Sequence, residues 1–485
     1  QQRISATGYV RQDARNSRLD RDVAGFIAGL RRHIGAQFDA LVPGPDSLPL
    51  IRALTIGERG TLTPAHWDTL RATGTSHLMA ISGLHISLVA GLVFGLVRLA
   101  WARFGTLAET VPAPRAAALA ALLAAILYAG LAGLGIPTRR ALVMVGVAML
   151  AVLAGRQTRP AQVLCLAVLA VLLVDPLALL AAGWWLSFWA VALILYTTSG
   201  RLGGEGVWRK WCQVHIVLAI SLLPVLLVFF QQVSLVSPLA NVVAVPWVSL
   251  LVVPTALTGT LLLAVSEPAG SALLVFSARL MDVLWLFLER MGDSGWALLH
   301  WHQPVAWTLL PAAAGILLLF APHGIPGRGL GLLLMLPMIR VMPPAPGPGE
   351  AWVTLLDVGQ GLSTVVRTRQ HTLVYDAGPR YSPTFDTGTA VVIPYLRSRG
   401  IRHVDKLIVS HGDNDHVGGV PSLLGEMAVA QVRAGVPEAI ASRTAVPCRH
   451  GERWNWDGVE FAVLHPGRGH QRKGNNASCV IRISA

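Results

Sequence analysis

Ten apolar runs between residues 77 and 342 constrain this chain more than any other feature. The runs lie near 78–100, 113–134, 140–154, 161–174, 178–199, 212–230, 238–264, 271–289, 306–321 and 328–342. An α-helix needs about 20 apolar residues to cross a bilayer, and several runs are shorter, so we predict about seven to ten transmembrane helices. Only 13% of the 485 residues are charged, roughly half the fraction of a typical soluble domain. Residues 77–342 are therefore predicted to form a helical membrane domain.

The formal net charge of +13 has two possible explanations. Positive charge favours anionic partners such as lipid headgroups or nucleic acid. It also accumulates in the loops of membrane proteins, where it sets their orientation. Arginines occur in successive connectors, such as GIPTRRA and GRQTRP, so the sequence gives no clean orientation.

Two regions precede the membrane domain. Residues 1–18 begin with Gln and read as the end of a larger domain, so we expect the chain to be a fragment at its N-terminus. Residues 19–76 are predicted to form juxtamembrane helices. One of them is amphipathic, because apolar residues repeat every three or four positions from Val23 to Leu41. This helix either lies in the headgroup layer or packs on neighbouring protein.

A proline-rich linker at residues 343–350 separates the membrane domain from a different kind of sequence. From residue 351 to residue 485, β-rich runs such as KLIVSHG and VEFAVLHP alternate with helical patterns near 387–399 and 419–428. Strands that alternate with helices predict an α/β domain. The expected fold class is a multi-spanning helical membrane domain followed by an α/β domain.

The stretch SHGDNDHVGG carries the clearest chemical motif. It places four potential metal ligands within six positions, namely His411, Asp413, Asp415 and His416. The spacing H-x-D-x-D-H differs from the zinc motif H-x-H-x-D-H by one aspartate, and carboxylate oxygen shifts the preference towards manganese or magnesium. A divalent ion there would acidify a water and neutralise charge on a phosphate.

Other polar residues of this region are candidates for supporting or substrate-binding roles. They are Asp357, Gln360, Asp376, Asn475, Asn476 and Ser478. Asp376 either braces the metal ligands through hydrogen bonds or is a turn aspartate. Cys448 and Cys479 would pair in an oxidising compartment, although no C-x-x-C spacing supports the pairing.

Polar residues inside the apolar runs are candidates for lining a channel, because such groups are costly at membrane depth and usually face a cavity or pathway. They are His77, Ser82, His85, Arg139, Arg140 and Asn241. His77 and His85 would lie about 80° apart on one ideal helix, unless Ser82 marks a local break. Alternatively, the histidines sit at the membrane interface and the arginines only set the topology.

The chain resembles the ComEC family of DNA-internalisation competence proteins through an ordered set of motifs. In chain order these are ATGYVR, LIRALTIGERG, HLMAISGLHISL, GIPTRRALVM, DPLALLAAGWWLSFWAV, SPLANVVAVPW, LLDVGQG and SHGDNDHVGG. The resemblance implies an OB-like domain whose tail is residues 1–18, and a channel that imports single-stranded DNA during natural transformation. It also implies a metallo-β-lactamase-like nuclease domain that degrades the other strand.

The resemblance further implies the site and its surroundings. His411, Asp413, Asp415 and His416 would bind one or two ions, manganese or zinc, with Asp413 and Asp415 as catalytic groups. The protein would lie in the inner (cytoplasmic) membrane, with the nuclease-like domain on the extracytoplasmic side. Its partners would be single- and double-stranded DNA, membrane lipid, a DNA receptor and an ATPase, since the chain has no P-loop motif. The family pattern continues beyond Ala485, so we expect the last domain to be truncated and to lack later motifs.

Two other functions fit parts of the sequence. One is a membrane-anchored metallo-hydrolase whose spans only tether it, although so many spans with polar residues at depth exceed what a tether requires. The other is a transporter for a small anion that carries a degenerate lactamase-like domain.

Overall fold

A computed structural model describes residues 25–42, 44, 46–103, 109–198, 206–322, 324–440, 445–467 and 474–485. The predicted tail of an OB-like domain, residues 1–18, lies outside these ranges. The chain divides into two compact units. The first unit consists of Gln1–Leu62, His77–Gln157 and Pro246–Trp285, and the second of Thr63–Ser76, Thr158–Val245 and Leu286–Ala485.

The described residues before position 341 are mainly helical. Their α-helices are Phe26–Leu41, Ser47–Thr55, Pro64–Ala72, Gly83–Trp101, Ala113–Leu131, Ile136–Leu153, Pro160–Val174, Ala182–Thr198, Val207–Ser221, Leu223–Phe230, Ser237–Pro246, Val253–Leu262, Glu267–Gly292, Leu309–Leu319 and Leu330–Arg340. A π-helical segment, Trp247–Val252, continues one of them. Two short strands, β1 (Gln232–Ser234) and β2 (Leu298–His300), pair antiparallel.

Five helical segments of the described residues are long and apolar enough to cross a membrane. They are Gly83–Trp101, Ala113–Leu131, Ile136–Leu153, Ser237–Leu262 and Glu267–Gly292. A sixth span results if Trp208–Ser221 and Leu223–Phe230, which are bent by 43°, count as one. In the described chain, five or six of the seven to ten predicted spans are therefore helices of 18 residues or more. Four apolar runs form only 10- to 17-residue helices, because residues such as Asp175 and Pro176 end them early.

The predicted amphipathic helix is present as Phe26–Leu41. Ile34 and Phe38 on its apolar face are buried in the first unit. Phe26 and Ile27, on the first turn, are 85% and 50% exposed. The face is therefore divided, with one half packed on protein and the other half left exposed.

The helix that contains His85 does not extend back to His77. Ser76–Leu78 forms a 3₁₀ turn, and the helix begins at Gly83 with Ser82 as its N-cap. The Ser82 hydroxyl accepts a hydrogen bond from the His85 amide, and His85 Nδ1 accepts one from the Ser82 amide, both at 3.4 Å. This reciprocal cap satisfies two donors that a helix start leaves unpaired, so the break at Ser82 is encoded locally.

Two helices of the second unit, Leu309–Leu319 and Leu330–Arg340, cross at a pair of glycines. A Cβ at Gly315 would overlap the carbonyl oxygen of Gly331, and a Cβ at Gly331 would overlap the carbonyl oxygen of Gly315. Apolar helices in a membrane have no hydrophobic driving force to associate, so close backbone contact of this kind contributes to their association through van der Waals packing.

The second unit also contains the β-rich region. Its strands are β3 (Trp352–Leu355), β4 (Thr364–Arg367), β5 (Thr372–Tyr375), β6 (Arg380–Ser382), β7 (Phe385–Asp386), β8 (His403–Val409), β9 (Ala428–Ala434), β10 (Val446–Pro447), β11 (Arg453–Trp456), β12 (Val459–His465) and β13 (Val480–Ser484). A six-stranded sheet has the order β10-β9-β8-β5-β4-β3, and a three-stranded sheet has the order β11-β12-β13. Strands β6 and β7 form a separate hairpin.

Both faces of the six-stranded sheet are covered. Val374 and Leu407 belong to an apolar cluster with residues of the helices Ile393–Ser398 and Val420–Glu426. The adjacent residues Leu373 and Ile408 belong to a second cluster with β12 and with Cys448 and Cys479, which are disulfide-bonded. The alternation follows the two-residue period of a strand. The predicted fold class, a helical membrane domain followed by an α/β domain, is confirmed.

The central strands β5, β8 and β9 are parallel. Their carboxyl ends therefore lie at one edge of the sheet, which is where α/β proteins usually place their functional groups. The residues that follow β5 and β8 meet at this edge.

Replacing Gly331 by alanine is expected to destabilise the second unit, because the added methyl group would overlap the Gly315 carbonyl and force the two helices apart. Overpacking of this kind costs about 1–3 kcal/mol. Thermal unfolding in detergent, followed by tryptophan fluorescence, measures the effect. Gly329→Ala is the matched control, because a Cβ at Gly329 meets nothing within 4 Å; equal melting temperatures for both variants would contradict the prediction.

Candidate metal centre

The loop that follows β8 brings three potential metal ligands together. This histidine loop (residues 410–416) runs into the short helix Asn414–Val417. One ligand atom from each of His411, Asp415 and His416 lies within 4.8 Å of the other two. We call these three residues the candidate metal group. His411 is buried, His416 is partly buried and the side chain of Asp415 is half-exposed, so the group is open to solvent on one side.

Both imidazole rings are oriented through their Nδ1 atoms. Nδ1 of His416 lies 2.7 Å from Oδ2 of Asp376, and Nδ1 of His411 lies 2.9 Å from Oγ of Ser410. Their Nε2 atoms are turned towards carboxylates, with His416 Nε2 at 3.3 Å from Asp415 Oδ2. Metal-binding histidines typically have one ring nitrogen held by a carboxylate or hydroxyl and the other on the metal. Two such Nε2 atoms and a carboxylate suit a divalent ion of borderline hardness.

Asp376 supports the candidate metal group through hydrogen bonds. Its side chain is fully buried at the end of β5, and its carboxylate accepts hydrogen bonds from the Ser410 amide and hydroxyl, both at 2.7 Å. The hydrogen bond from His416 to this carboxylate raises the pKa of His416 above its ordinary value, because it stabilises the imidazolium. The backbone of Asp376 has φ of 58°, a left-handed conformation that is uncommon for a residue other than glycine. This geometry supports the interpretation that Asp376 holds the metal ligands through hydrogen bonds, rather than the alternative of a turn aspartate.

Ser410 is the residue that the sequence analysis missed. Its hydroxyl lies within hydrogen-bond distance of His411 Nδ1, His416 Nδ1 and Asp376 Oδ2, at 2.9, 3.1 and 2.7 Å. The only sequence signal for this role is its position directly before the first histidine, where the strand ends.

Asp413 lies outside the candidate metal group. It is the N-cap of the helix Asn414–Val417, and its side chain is 58% exposed. Its Oδ2 lies 3.3 Å from Nε2 of His411. The structure therefore groups three of the four predicted ligands and leaves Asp413 beside the first of them.

The loop after β3 packs against the histidine loop through its backbone. The Leu362 amide donates a hydrogen bond of 3.1 Å to the Asp415 carbonyl, and a Cβ at Gly361 would overlap the same oxygen. Asp357 and Gln360 lie on this loop with exposed side chains, and Asp357 accepts a hydrogen bond from the Gly359 amide at 3.2 Å. The two side chains lie next to the site but do not belong to the metal group.

The three predicted substrate-binding residues near the end of the chain lie on a turn, Gly474–Ala477, and just after it. Asn475 and Asn476 are exposed, and the Ser478 hydroxyl donates to the Asn475 carbonyl at 2.8 Å. The next residue, Cys479, donates its amide to the Ser410 carbonyl at 3.0 Å. The backbone of this segment therefore supports the start of the histidine loop.

Three of the channel candidates lie near one helix contact in the first unit. A Cβ at Gly83 would lie 3.6 Å from Cβ of Ala141, so the starts of the helices Gly83–Trp101 and Ile136–Leu153 touch. His85 and Arg140 are 0% and 6% exposed, and His85 Nε2 and Arg140 Nε have no hydrogen-bond partner among the described residues. Arg139 is different, because it is exposed and donates to the Leu134 carbonyl at 2.6 Å.

The remaining channel candidates are placed as follows. Ser82 caps its helix, as described above, and His77 is exposed in the 3₁₀ turn. Asn241, in the second unit, is 7% exposed and donates to the carbonyl and the hydroxyl of Ser237, both at 2.9 Å. Its Oδ1 has no partner within the described part of the chain.

Comparisons with known proteins support the same order of domains, a helical membrane region followed by a lactamase domain. The family model "Competence protein" matches residues 54–324, and that of the metallo-beta-lactamase superfamily matches residues 356–484. Competence protein ComA of Neisseria gonorrhoeae is 37% identical over 445 residues, which is 91% of this chain and 61% of that protein. Recombination protein 2 of Haemophilus influenzae is 30% identical, covering 94% of this chain and 62% of its own length, and ComE operon protein 3 of Bacillus subtilis is 28% identical, covering 94% and 61%. No solved structure matches the chain.

The fold and the site define a membrane protein that carries a metallo-β-lactamase domain. Within that class, the chain belongs to the ComEC family of competence proteins. It spans about six-tenths of the length of the relatives named above.

Asp376→Asn is expected to lower the affinity of the chain for manganese by about 10–100-fold, the usual effect of removing a partner that orients a metal-binding histidine. Calorimetric titration of the purified, chelator-treated chain with manganese measures the affinity. Asp386→Asn is the matched control, because Asp386 is also buried but bonds the Thr389 amide and the Ser422 hydroxyl instead of a histidine. The same loss of affinity in both variants would show that Asp376 acts only on stability.

Proposed function

We propose that this chain is the membrane and nuclease part of a DNA-uptake protein of the inner (cytoplasmic) membrane. In this proposal the helical region imports single-stranded DNA during natural transformation, and the lactamase domain degrades the strand that is not imported. The observation that carries the nuclease function is the candidate metal group with Asp376 and Ser410 behind it. The membership of the competence protein family supports the DNA substrate.

In the nuclease reaction, the residues of the histidine loop bind the metal ion, orient a water molecule and accept protons. Bound manganese or zinc, one ion or two, supplies an acidified water and a positive charge for the phosphodiester. His411 and His416 present their Nε2 atoms, and Asp376 fixes the ring of His416. Asp415 has a half-exposed side chain, so it can orient a water that enters from solvent. Asp413, beside His411 on the open side, is a second group that can accept a proton.

In the import path, we propose that Arg140 and His85 contact the phosphates of the moving strand. Buried polar groups almost always have hydrogen-bond partners, and ionisable groups at membrane depth usually face a polar path. Arg140 Nε and His85 Nε2 lack a partner among the described residues, and a phosphate oxygen would provide one for each.

The disulfide between Cys448 and Cys479 supports an extracytoplasmic position for the lactamase domain. Disulfides form and persist in oxidising compartments and are rare in the cytosol. A DNA receptor that delivers the duplex and an ATPase that drives import complete the proposal as partners.

Asp415→Ala in the full-length protein is expected to lower manganese-dependent DNA cleavage by at least about 100-fold, since this change removes both a metal ligand and the group that orients the water. Cleavage of a labelled duplex by purified protein measures the rate, and transformation of cells that express the variant measures its consequence. Glu438→Ala, a substitution at an exposed carboxylate on a nearby turn, is the matched control. Full cleavage by well-folded Asp415→Ala would exclude the candidate metal group as the site of cleavage, and absence of cleavage by the wild type would favour a degenerate domain.

Arg140→Gln is expected to lower import of labelled DNA into cells by about tenfold or more, because a charge-assisted hydrogen bond is worth about 1.5–3 kcal/mol. The neighbouring variant Arg139→Gln should import normally, since Arg139 is exposed and bonded to a backbone carbonyl. Normal import by an Arg140→Gln protein that is present at the wild-type level would contradict the path, and would leave a membrane-tethered hydrolase as the better account.

A further inference from the structure

A short hairpin beside the candidate metal group exposes two aromatic rings. This aromatic hairpin (residues 380–386) consists of β6 and β7. Tyr381 and Phe385 are 56% and 52% exposed, and their rings stack with centroids 5.9 Å apart and planes inclined by 27°. Exposed large apolar side chains that cluster on a surface often mark a binding site. The rings are exposed in a domain whose other face, around Phe461, is well buried.

The aromatic hairpin is fastened to the histidine loop. The Arg380 amide donates to Oδ1 of Asn414 at 3.3 Å, and Nδ2 of Asn414 donates to the Arg380 carbonyl at 3.1 Å. A Cβ at Gly418 would overlap the Arg380 amide nitrogen, so the two backbones lie in close contact. Because Asn414 directly precedes Asp415, the hairpin holds its rings next to the turn that carries two of the metal-group residues.

Both aromatic residues are held in place before any ligand binds. The Tyr381 hydroxyl donates to the Val358 carbonyl at 2.9 Å, which ties its ring to the loop after β3. Phe385 precedes Asp386, whose buried carboxylate accepts hydrogen bonds from the Thr389 amide at 2.9 Å and the Ser422 hydroxyl at 2.6 Å. A platform that is already ordered binds a ligand at a lower entropic cost.

The hairpin also carries a positive charge. Arg380 is exposed, and its Nη2 donates to the Pro383 carbonyl at 3.2 Å, which holds the guanidinium over the turn of the hairpin. The remaining guanidinium N–H groups can reach a phosphate, for which arginine is the preferred partner. An aromatic pair together with an arginine is the combination that binds single strands, where bases stack on rings and cations follow the backbone.

We propose that Tyr381 and Phe385 form a stacking platform for unpaired DNA bases, with Arg380 on a neighbouring phosphate. The inference rests on the proposed nuclease function and specifies its substrate as a single strand or a frayed end. Bases inside a duplex are already stacked on both sides, so only an unpaired base offers a free face to the rings. Stacking tolerates any base, which suits a domain that degrades DNA regardless of sequence.

Binding of a fluorescein-labelled single-stranded oligonucleotide tests the platform. Fluorescence anisotropy is measured with the whole chain in detergent micelles, in the presence of EDTA, so that cleavage does not interfere. Phe385→Leu keeps an apolar side chain but removes the ring, and is expected to weaken binding about tenfold, as the loss of one base stack does. Tyr381→Leu should do the same, while Tyr381→Phe, which keeps the ring, should bind within about twofold of the wild type.

Two controls make the experiment specific. Trp352→Leu removes another partly exposed aromatic ring, 40% exposed on the edge strand β3, and should bind as the wild type does. An abasic oligonucleotide, which has the same phosphates but no bases, should bind the wild type and Phe385→Leu equally. A fold-loss for Phe385→Leu that is as large on the abasic strand, or on a blunt duplex, would overturn the stacking platform.

The outcome separates the platform from the nuclease proposal. Wild-type binding by both folded leucine variants, together with manganese-dependent cleavage by the wild type, overturns the platform and leaves the nuclease in place. Weakened binding by the leucine variants, with no cleavage by the wild type, supports the platform and removes the nuclease.

Discussion

The buried carboxylate of Asp376 is the interaction on which the candidate metal centre depends. It joins the end of β5 to the start of the loop after β8 and accepts hydrogen bonds from Ser410 and His416. A buried charge without partners is very unfavourable, so the carboxylate, the serine and the histidine stabilise one another as a set. The parallel pairing of β5 with β8 makes the contact possible, because it places both carboxyl ends at the same edge. The loop after β3 and the aromatic hairpin then pack on the structure that this contact fixes.

The sequence predicted those parts of the fold that depend on neighbouring residues. The β-rich runs around Leu407 and Phe461 are strands, because short runs of branched and aromatic apolar residues favour buried strands. Strand β9 was missed, since AVAQVRA is poor in the branched and aromatic residues that favour strands. The sequence did not predict which apolar runs form helices of 18 residues or more, because hydropathy shows where a helix is apolar but not where a proline or a cap ends it.

In the candidate site too, the sequence predicted the roles of residues that are close in sequence, but not roles that depend on distant residues. His411, Asp415 and His416 are close in sequence, so their spacing was sufficient to predict a group of ligands. The role of Ser410 was not predictable, because it depends on a carboxylate at position 376 that only the sheet brings near. In the membrane region, the capped break at Ser82 follows from local hydrogen bonds. Arg140 is buried and Arg139 is exposed because of a neighbouring helix, so two adjacent arginines in the sequence do not predict the difference.

The hydrogen bond from the Cys479 amide to the Ser410 carbonyl has a consequence for the order in which the domain forms. The histidine loop is synthesised well before Cys479, and the Tyr375 hydroxyl also bonds the Cys479 carbonyl. A nascent chain that has reached only the histidine loop therefore has its ligand residues but not the backbone support behind them. Contacts between residues so distant in sequence form slowly, because closing the intervening loop costs conformational entropy before the contact stabilises the fold. The backbone support of the candidate metal group is thus completed only after the chain has passed Cys479, although all three of its ligand residues are synthesised earlier.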